Sequence, residues 1–472
     1  MTIAYRLPGN QMTINIDGAM LRAADDGFFR VDSGSRAEAV LLAGGAQLAP
    51  AGAIPGDSSD VGLTLPEVLA ARSVVAGYSS DIYIGSRTGR KLVIWGDSTA
   101  AQNDASNSGY RYLGNAWVQK GLYCAGNPLD VVNVGGNSGL RTDQIIPNFA
   151  AQVSAYSPDY VLLPVCTNDL IQGYGNSAAI NGLMTMVGLV ESIGAVPILS
   201  CLTPGDTWAS SSANRALWKT HNTLVRSIGA AMGYPVWDGS SAFAITAGEP
   251  DAIVGTNDGI HMNNTGTEYL APVLGAFFKQ HFPRRKLGSQ LATGNLCTNP
   301  LLTGTGGAKQ SGVTGVVPDG CTAAQVAASV SSVALRTDGG PGNWWQQSLT
   351  LAAGTGSVWY FGTATLAAAG LAVGDIVRAS VDVELDNGSS GLHSIALNMS
   401  YTGGSQTLAM SNNDATNNGV AIIGAIKRQL ATPKIAIPSG TTAIGMYLTV
   451  QTNTSAGSAV VRVGAPSIVK VS

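Results

Sequence analysis

The sequence predicts an α/β domain, three layers built on a parallel sheet, followed by an antiparallel β-sandwich. Three observations carry this reading. Between about residues 90 and 286, short apolar runs alternate with longer stretches of helical periodicity. Beyond about residue 290 the helical period vanishes and two-residue alternation replaces it. The whole chain of 472 residues is poor in charge, at 12%, and rich in glycine, at 60 residues, a composition that suits β-rich extracellular or virion-type proteins.

The elements follow in order. Residues 1–89 are rich in Gly, Ala, Asp and Ser with short apolar runs and one helix near 66–76, Pro66 sitting in its first turn. This segment reads as an extended arm or small docking module. Residues 90–286 give strands at 91–95, 130–134, 160–165, 196–202 and 235–237, with helices at 177–193, 214–232 and 265–281. Apolar strands bounded by helices require a parallel sheet covered on both faces. In 287–472, the run 375–386 places Val377, Ala379, Val381, Val383 and Leu385 on one face and Arg378, Ser380, Asp382, Glu384 and Asp386 on the other. Runs 394–400 and 443–451 alternate likewise, as strands of a sandwich do.

Composition also excludes. A net charge of −3 attracts no polyanion, so nucleic acid is not an expected partner. The basic run Arg284-Arg285-Lys286 reads as a solvated helix end. No apolar run is long enough to span a bilayer, and the first residues lack the basic and apolar regions of a signal peptide. The five cysteines are scattered and include no Cys-x-x-Cys, which argues against a cysteine-based zinc site. A bridge between Cys297 and Cys321 is left open. His221 reads as a surface residue of its helix and His281 as a helix-end cation; His393 has no acid nearby in sequence. Trp344, Trp345, Trp359 and Tyr360 cluster in the sandwich segment, as core or as faces for stacking on sugar rings.

Four features concentrate chemistry in residues 90–286. A strand ends at Trp95 and Gly96-Asp97-Ser98 follows, placing Ser98 at a strand's carboxyl end, where open parallel sheets bind ligands. Asp258-Gly259-Ile260-His261 supplies a base and a carboxylate to orient it, the pair a serine nucleophile needs. Asn168 follows the strand at 160–165 and can aim an amide at a developing oxyanion. Gly135-Gly136-Asn137-Ser138-Gly139 follows the strand at 130–134 and can present an unobstructed N–H.

Taken in their order along the chain, these blocks resemble the SGNH (GDSL-like) hydrolase family, over roughly residues 90–286. The resemblance implies a flavodoxin-like three-layer domain in which Ser98, Asp258 and His261 form a catalytic triad. It implies an oxyanion hole from the Ser98 N–H, the Gly139 N–H and the Asn168 side chain, with Gly136 as a second glycine candidate. Cys166 stands where the family usually carries glycine, and Thr99 where Leu or Ile usually follows the serine.

The layout of arm, hydrolase and low-charge, jelly-roll-like sandwich resembles bacteriophage tail-spike or tail-fibre proteins. That resemblance implies a homotrimer in the virion that removes O-acetyl groups from a bacterial capsule or O-antigen polysaccharide, with other tail proteins held through the arm. A secreted bacterial carbohydrate acetylesterase with a binding module and a non-catalytic adhesin are the rival readings. No cofactor is expected. No His/Asp/Glu set with metal-ligand spacing accompanies the triad, so ester hydrolysis should be unchanged in EDTA. Loss of activity restored by a divalent ion would instead identify a metal-dependent deacetylase.

Overall fold

The computed structural model describes residues 89–103, 116–240, 258–282, 294–324, 328–338, 340–403, 410–411, 426–452 and 455–471, together with five short strands before residue 49. Those strands are β1 (Thr2–Arg6), β2 (Thr13–Ile16), β3 (Ala19–Arg22), β4 (Phe29–Asp32) and β5 (Gln47–Leu48). β1 pairs with β4 and β5, and β2 with β3. The helix expected at 66–76 and the basic run at 284–286 lie outside the described residues.

The chain divides into two compact units. One comprises Met1–Gln102 and Asp130–His261; the other comprises Asn103–Leu129 and Met262–Ser472.

In the first unit, β6 (Lys91–Gly96), β7 (Asp130–Gly136), β8 (Tyr160–Leu163), β9 (Val196–Ser200) and β10 (Val236–Trp237) form one sheet, all parallel, in the order β10-β9-β8-β6-β7. The order reverses at β6, which has the next strand in sequence on one side and β8 on the other. In open α/β sheets, ligands bind outside the strand ends at such a reversal. β8 and β9 are buried at every position, as strands covered on both faces must be. The described helices of this unit are short ones after β6, β7, β8 and β9 and two long ones, Gly175–Ser192 and Ser212–Met232. The second long helix starts on Ser211, whose side chain accepts from Asn214 N, and stops at Gly233 in the left-handed region.

That second helix corrects the reading of His221. The residue is fully buried, on the face that also carries Trp218, Asn222, Val225 and Ile228. Neither ring nitrogen has a hydrogen-bond partner among the described residues.

The second unit contains two sheets. One runs β11-β13-β16-β22-β18-β19 and the other β12-β14-β15-β23-β17-β20, with β21 beside β17. In chain order these strands are Gly306–Lys309, Val313–Gly315, Val317–Ala324, Ala328–Leu335, Asn343–Leu351, Gly356–Thr365, Ile376–Leu385, Leu392–Thr402, Met410–Ser411, Ile426–Ala431, Ile435–Ala436, Ala443–Thr452 and Gly457–Lys470. Pairing is antiparallel except between β11 and β13 and between β12 and β14. The alternation at 375–386 appears as β17, with Val377, Ala379, Val381, Val383 and Leu385 in the core. Trp345 and Trp359 also lie in that core, their rings edge-to-face at 6.4 Å. Trp344 is covered by the Arg336 guanidinium, 4.0 Å above its ring, so among the four clustered aromatics Tyr360 alone is exposed. Cys297 and Cys321 are both free thiols, which settles against a bridge.

Two helices share this unit, Trp117–Ala125 and Asn264–His281. Lys120 of the first donates to Thr267 Oγ1 at 2.7 Å and pairs with Glu268 at 2.8 Å. Arg428 of β20 pairs with the same carboxylate. All three groups are buried. Burial would raise the Glu268 pKa, but Arg428 and Lys120 outweigh it and hold the group at about 2.

Burial lowers the His221 pKa from 6.5 to about 4. Between those values the native state binds fewer protons than the unfolded chain, so stability falls as pH falls through that window. From pH 7 to pH 5 the loss traceable to this ring is about 2 kcal/mol. Denaturant unfolding at the two pH values should show the difference shrink by that amount in His221→Leu; an unchanged difference would refute a buried neutral ring.

Candidate active site

The strand ends of the parallel sheet deliver the pieces. β6 stops at Gly96, and Asp97 caps the short helix Ser98–Ala101, accepting from Thr99 N at 2.9 Å. Ser98 therefore opens a helical turn directly off the strand. The Asp97 carboxylate is fully buried, and its other oxygen accepts from Thr167 N at 3.2 Å. Burial dominates and raises its pKa against the pull of these hydrogen bonds. Asp97 thus ties the turn after β6 to the turn after β8.

His261 reaches Ser98 from the far end of the unit's sequence. Its Nε2 lies 2.6 Å from Ser98 Oγ, and its Nδ1 lies 2.6 Å from Asp258 Oδ2. The other Asp258 oxygen accepts from the backbone N–H groups of Ile260 and His261, at 3.1 and 2.8 Å. Burial would raise the Asp258 pKa, but the His261 and Ile260 bonds overcome it and lower it. The carboxylate therefore stays ionised and keeps the Nδ1 proton facing it. Gly259 sits at φ +85°, and its carbonyl accepts from Thr207 N at 3.1 Å. A Cβ on Gly205 would stand 2.3 Å from that carbonyl oxygen, so the turn carrying the histidine docks where no side chain intrudes.

Asn168 lies in the short helix Thr167–Ile171 after β8. Its Nδ2 donates to Leu140 O at 3.0 Å, leaving a second amide proton for another acceptor. Gly139 is exposed at φ +77°, and its N–H donates no hydrogen bond among the described residues. Gly136 differs: it is paired in the sheet with Gly96, and a Cβ there would stand 2.2 Å from Ala101 Cα. Its glycine is explained by packing, which favours Gly139 as the loop donor. Cys166 adopts φ +81°, the left-handed region that favours glycine. The thiol is buried and bonded to Ala179 O at 3.3 Å, so side-chain packing offsets the strain.

No local pattern signals what holds these two loops together. Residues 139 to 142 are each fastened to the segment 168–174. Gln172 Nε2 donates to Gly139 O at 3.0 Å, and Asn168 to Leu140 O. Arg141 donates to Gln172 Oε1 at 2.9 Å and lies 4.1 Å over the Tyr174 ring. Thr142 donates to Asp169 through its N–H and, at 2.6 Å, through its hydroxyl. Behind them the buried Asn137 donates to Gly96 O at 3.0 Å, bracing the end of the serine's strand. Such pairings have no sequence period. The only available hint was a polar, hydrogen-bonding composition on both sides.

Residues 94–269 match the model of the GDSL-like Lipase/Acylhydrolase family. No curated protein is matched by the chain. Among solved structures, it is similar to a lipolytic protein of the G-D-S-L family from Veillonella parvula, at 14% identity and TM-score 0.31, covering 42% of this chain and all of that one. It is similar to the acetylxylan esterase Axe2 from Geobacillus stearothermophilus, at 18% and 0.34, covering 43% and 97%. It is also similar to the lipase/acylhydrolase from Enterococcus faecalis, at 20% and 0.32, covering 42% and 99%.

Gln172 is exposed and braces the Gly139 peptide without entering the triad. Gln172→Ala should lower kcat on a small ester about tenfold through looser placement of that peptide, with KM within about twofold. Equal kcat would show that the brace is not needed.

Proposed function

From the premise that residues 94–269 form a GDSL-like lipase/acylhydrolase domain and the chain is a serine ester hydrolase, we propose that it removes O-acetyl groups from a bacterial surface polysaccharide, with Ser98, His261 and Asp258 as the triad. The observation that carries the triad is the pair of 2.6 Å contacts of His261, one to Ser98 Oγ and one to Asp258. His261 Nε2 takes the hydroxyl proton as Ser98 Oγ attacks the ester carbonyl carbon. The carbonyl electron pair moves onto oxygen, and the Ser98 N–H, the Gly139 N–H and Asn168 Nδ2 receive it. His261 returns its proton to the leaving sugar hydroxyl as the C–O bond breaks. Water then adds to the acyl-serine with His261 again as base, releasing acetate and restoring Ser98.

A polymeric substrate is supported by how open the pair is. The side chains of His261 and Asp258 are 28% and 52% exposed, so a bulky leaving group can approach without entering a deep pocket. The sandwich that follows and the chain's low charge support a homotrimeric virion component, with the first 89 residues joining it to other tail proteins.

Ser98→Ala should cut ester hydrolysis by about 10³-fold or more, with unchanged thermal unfolding, because it removes one half-buried turn oxygen and no core area. Activity within tenfold of the parent would overturn the assignment.

A further inference from the structure

The two outward faces of the sandwich differ in kind. On one, Gln346, Arg462, Glu384 and Lys427 stand in register across four strands, and Arg336, Asp338 and Asp382 form ion pairs beside them. On the other, the corresponding row is Thr322, Tyr360, Tyr447 and Asn398. The next row on the same face is Ala324, Val358, Thr449 and Ala396, and on the other side Thr363, Gly445 and Ser400 are in register. None of these eleven positions on the second face carries a charged side chain; Ala324, Ala396, Asn398 and Gly445 are buried, and the surface is made by the other seven.

In the middle of this neutral field the Tyr360 and Tyr447 rings lie side by side, centroids 5.5 Å apart and planes 37° apart. Tyr360 is 41% exposed, although Trp345, Trp359 and Phe361 of the neighbouring positions are all in the core. The alternation of the strand pushes this one aromatic outward. A purely apolar partner would leave the two phenol hydroxyls and the Thr322 hydroxyl without bonds. A single-stranded nucleic acid would need cations along its backbone, and none stands at these positions among the described residues. The remaining fit is a molecule with apolar ring faces and many neutral hydroxyls.

We propose that this face, centred on Tyr360 and Tyr447, binds a chain of neutral sugars. Two consecutive rings stack on the two tyrosines, whose centroids lie 5.5 Å apart. Thr322, Thr449 and the exposed Gln451, which lies further along the strand of Tyr447, take the hydroxyls. The proposal extends the polysaccharide reading above to a second site, and it does not depend on the triad.

Full-length protein should be run in native gels containing xylan, glucomannan or dextran, each against a gel without polysaccharide. At least one of these should retard it, with Tyr360→Ala and Tyr447→Ala weakened about tenfold and Tyr360→Phe retained, because the ring and not the hydroxyl carries the stacking. Hydrolysis of p-nitrophenyl acetate should be equal in all four proteins, which also reports that the variants fold. Mobility unaffected by all three polymers, or equal retardation of parent and alanine variants, overturns the proposal. So does an oligomer, seen by light scattering, that Tyr360→Ala dissociates, since the face would then join copies of this chain. Failure of ester hydrolysis with retardation intact would count against the catalytic reading alone.

Discussion

A carboxylate withdrawn from water holds the catalytic half of this protein together. Asp97 has no exposure, and an ion in that position is tolerable only while N–H groups face it. Those groups come from Thr99, in the turn of the nucleophile, and Thr167, in the turn after the neighbouring strand. From Thr167 the ties run on through Asn168, Asp169 and Gln172 to the loop 139–142. Loops after three adjacent strands are thereby made into one piece before any substrate arrives. Preorganisation of this kind is what lets hydrogen-bond donors stabilise a developing charge without first reorienting.

The sheet itself was legible because its strands are short apolar runs, each followed by turn residues at the carboxyl end. The meeting of Ser98 with the Asp258–His261 pair could be expected because chemistry restricts which residue types can serve as nucleophile, base and orienter. The brace by Gln172 and Arg141 could not, since contacts between loops about thirty residues apart leave no period in the chain. Asp97 was visible only as a turn residue; its bonds to both turns depend on strand order, which emerges only when the sheet is assembled. The same holds for Cys166, whose left-handed backbone a glycine would have announced.

His221 was misread for a different reason. Histidine in a helix usually faces water, yet Trp218, Asn222, Val225 and Ile228 share its face at intervals of three and four. That period placed the residue inside, and residue type alone pointed the other way. In the sandwich the opposite problem arose. Four clustered aromatics looked alike, but strand alternation and the Arg336 cover sort them into three hidden rings and one on the surface. Tyr447, the partner of Tyr360, lies too far along the chain for any local pattern to pair them.

The helices Trp117–Ala125 and Asn264–His281 bear on how such a gene can be rearranged. Both fall at least partly within the stretch matched to the hydrolase family, yet they pack in the compact unit of the sandwich, where Glu268 neutralises Lys120 and Arg428 together. A recombination event that exchanged the sandwich strands for an unrelated module would remove Arg428 and leave the buried Glu268 with Lys120 alone. Inheritance should therefore transmit these segments as a block. Change in this unit would then be confined to surface positions on the strands rather than to wholesale replacement of the module.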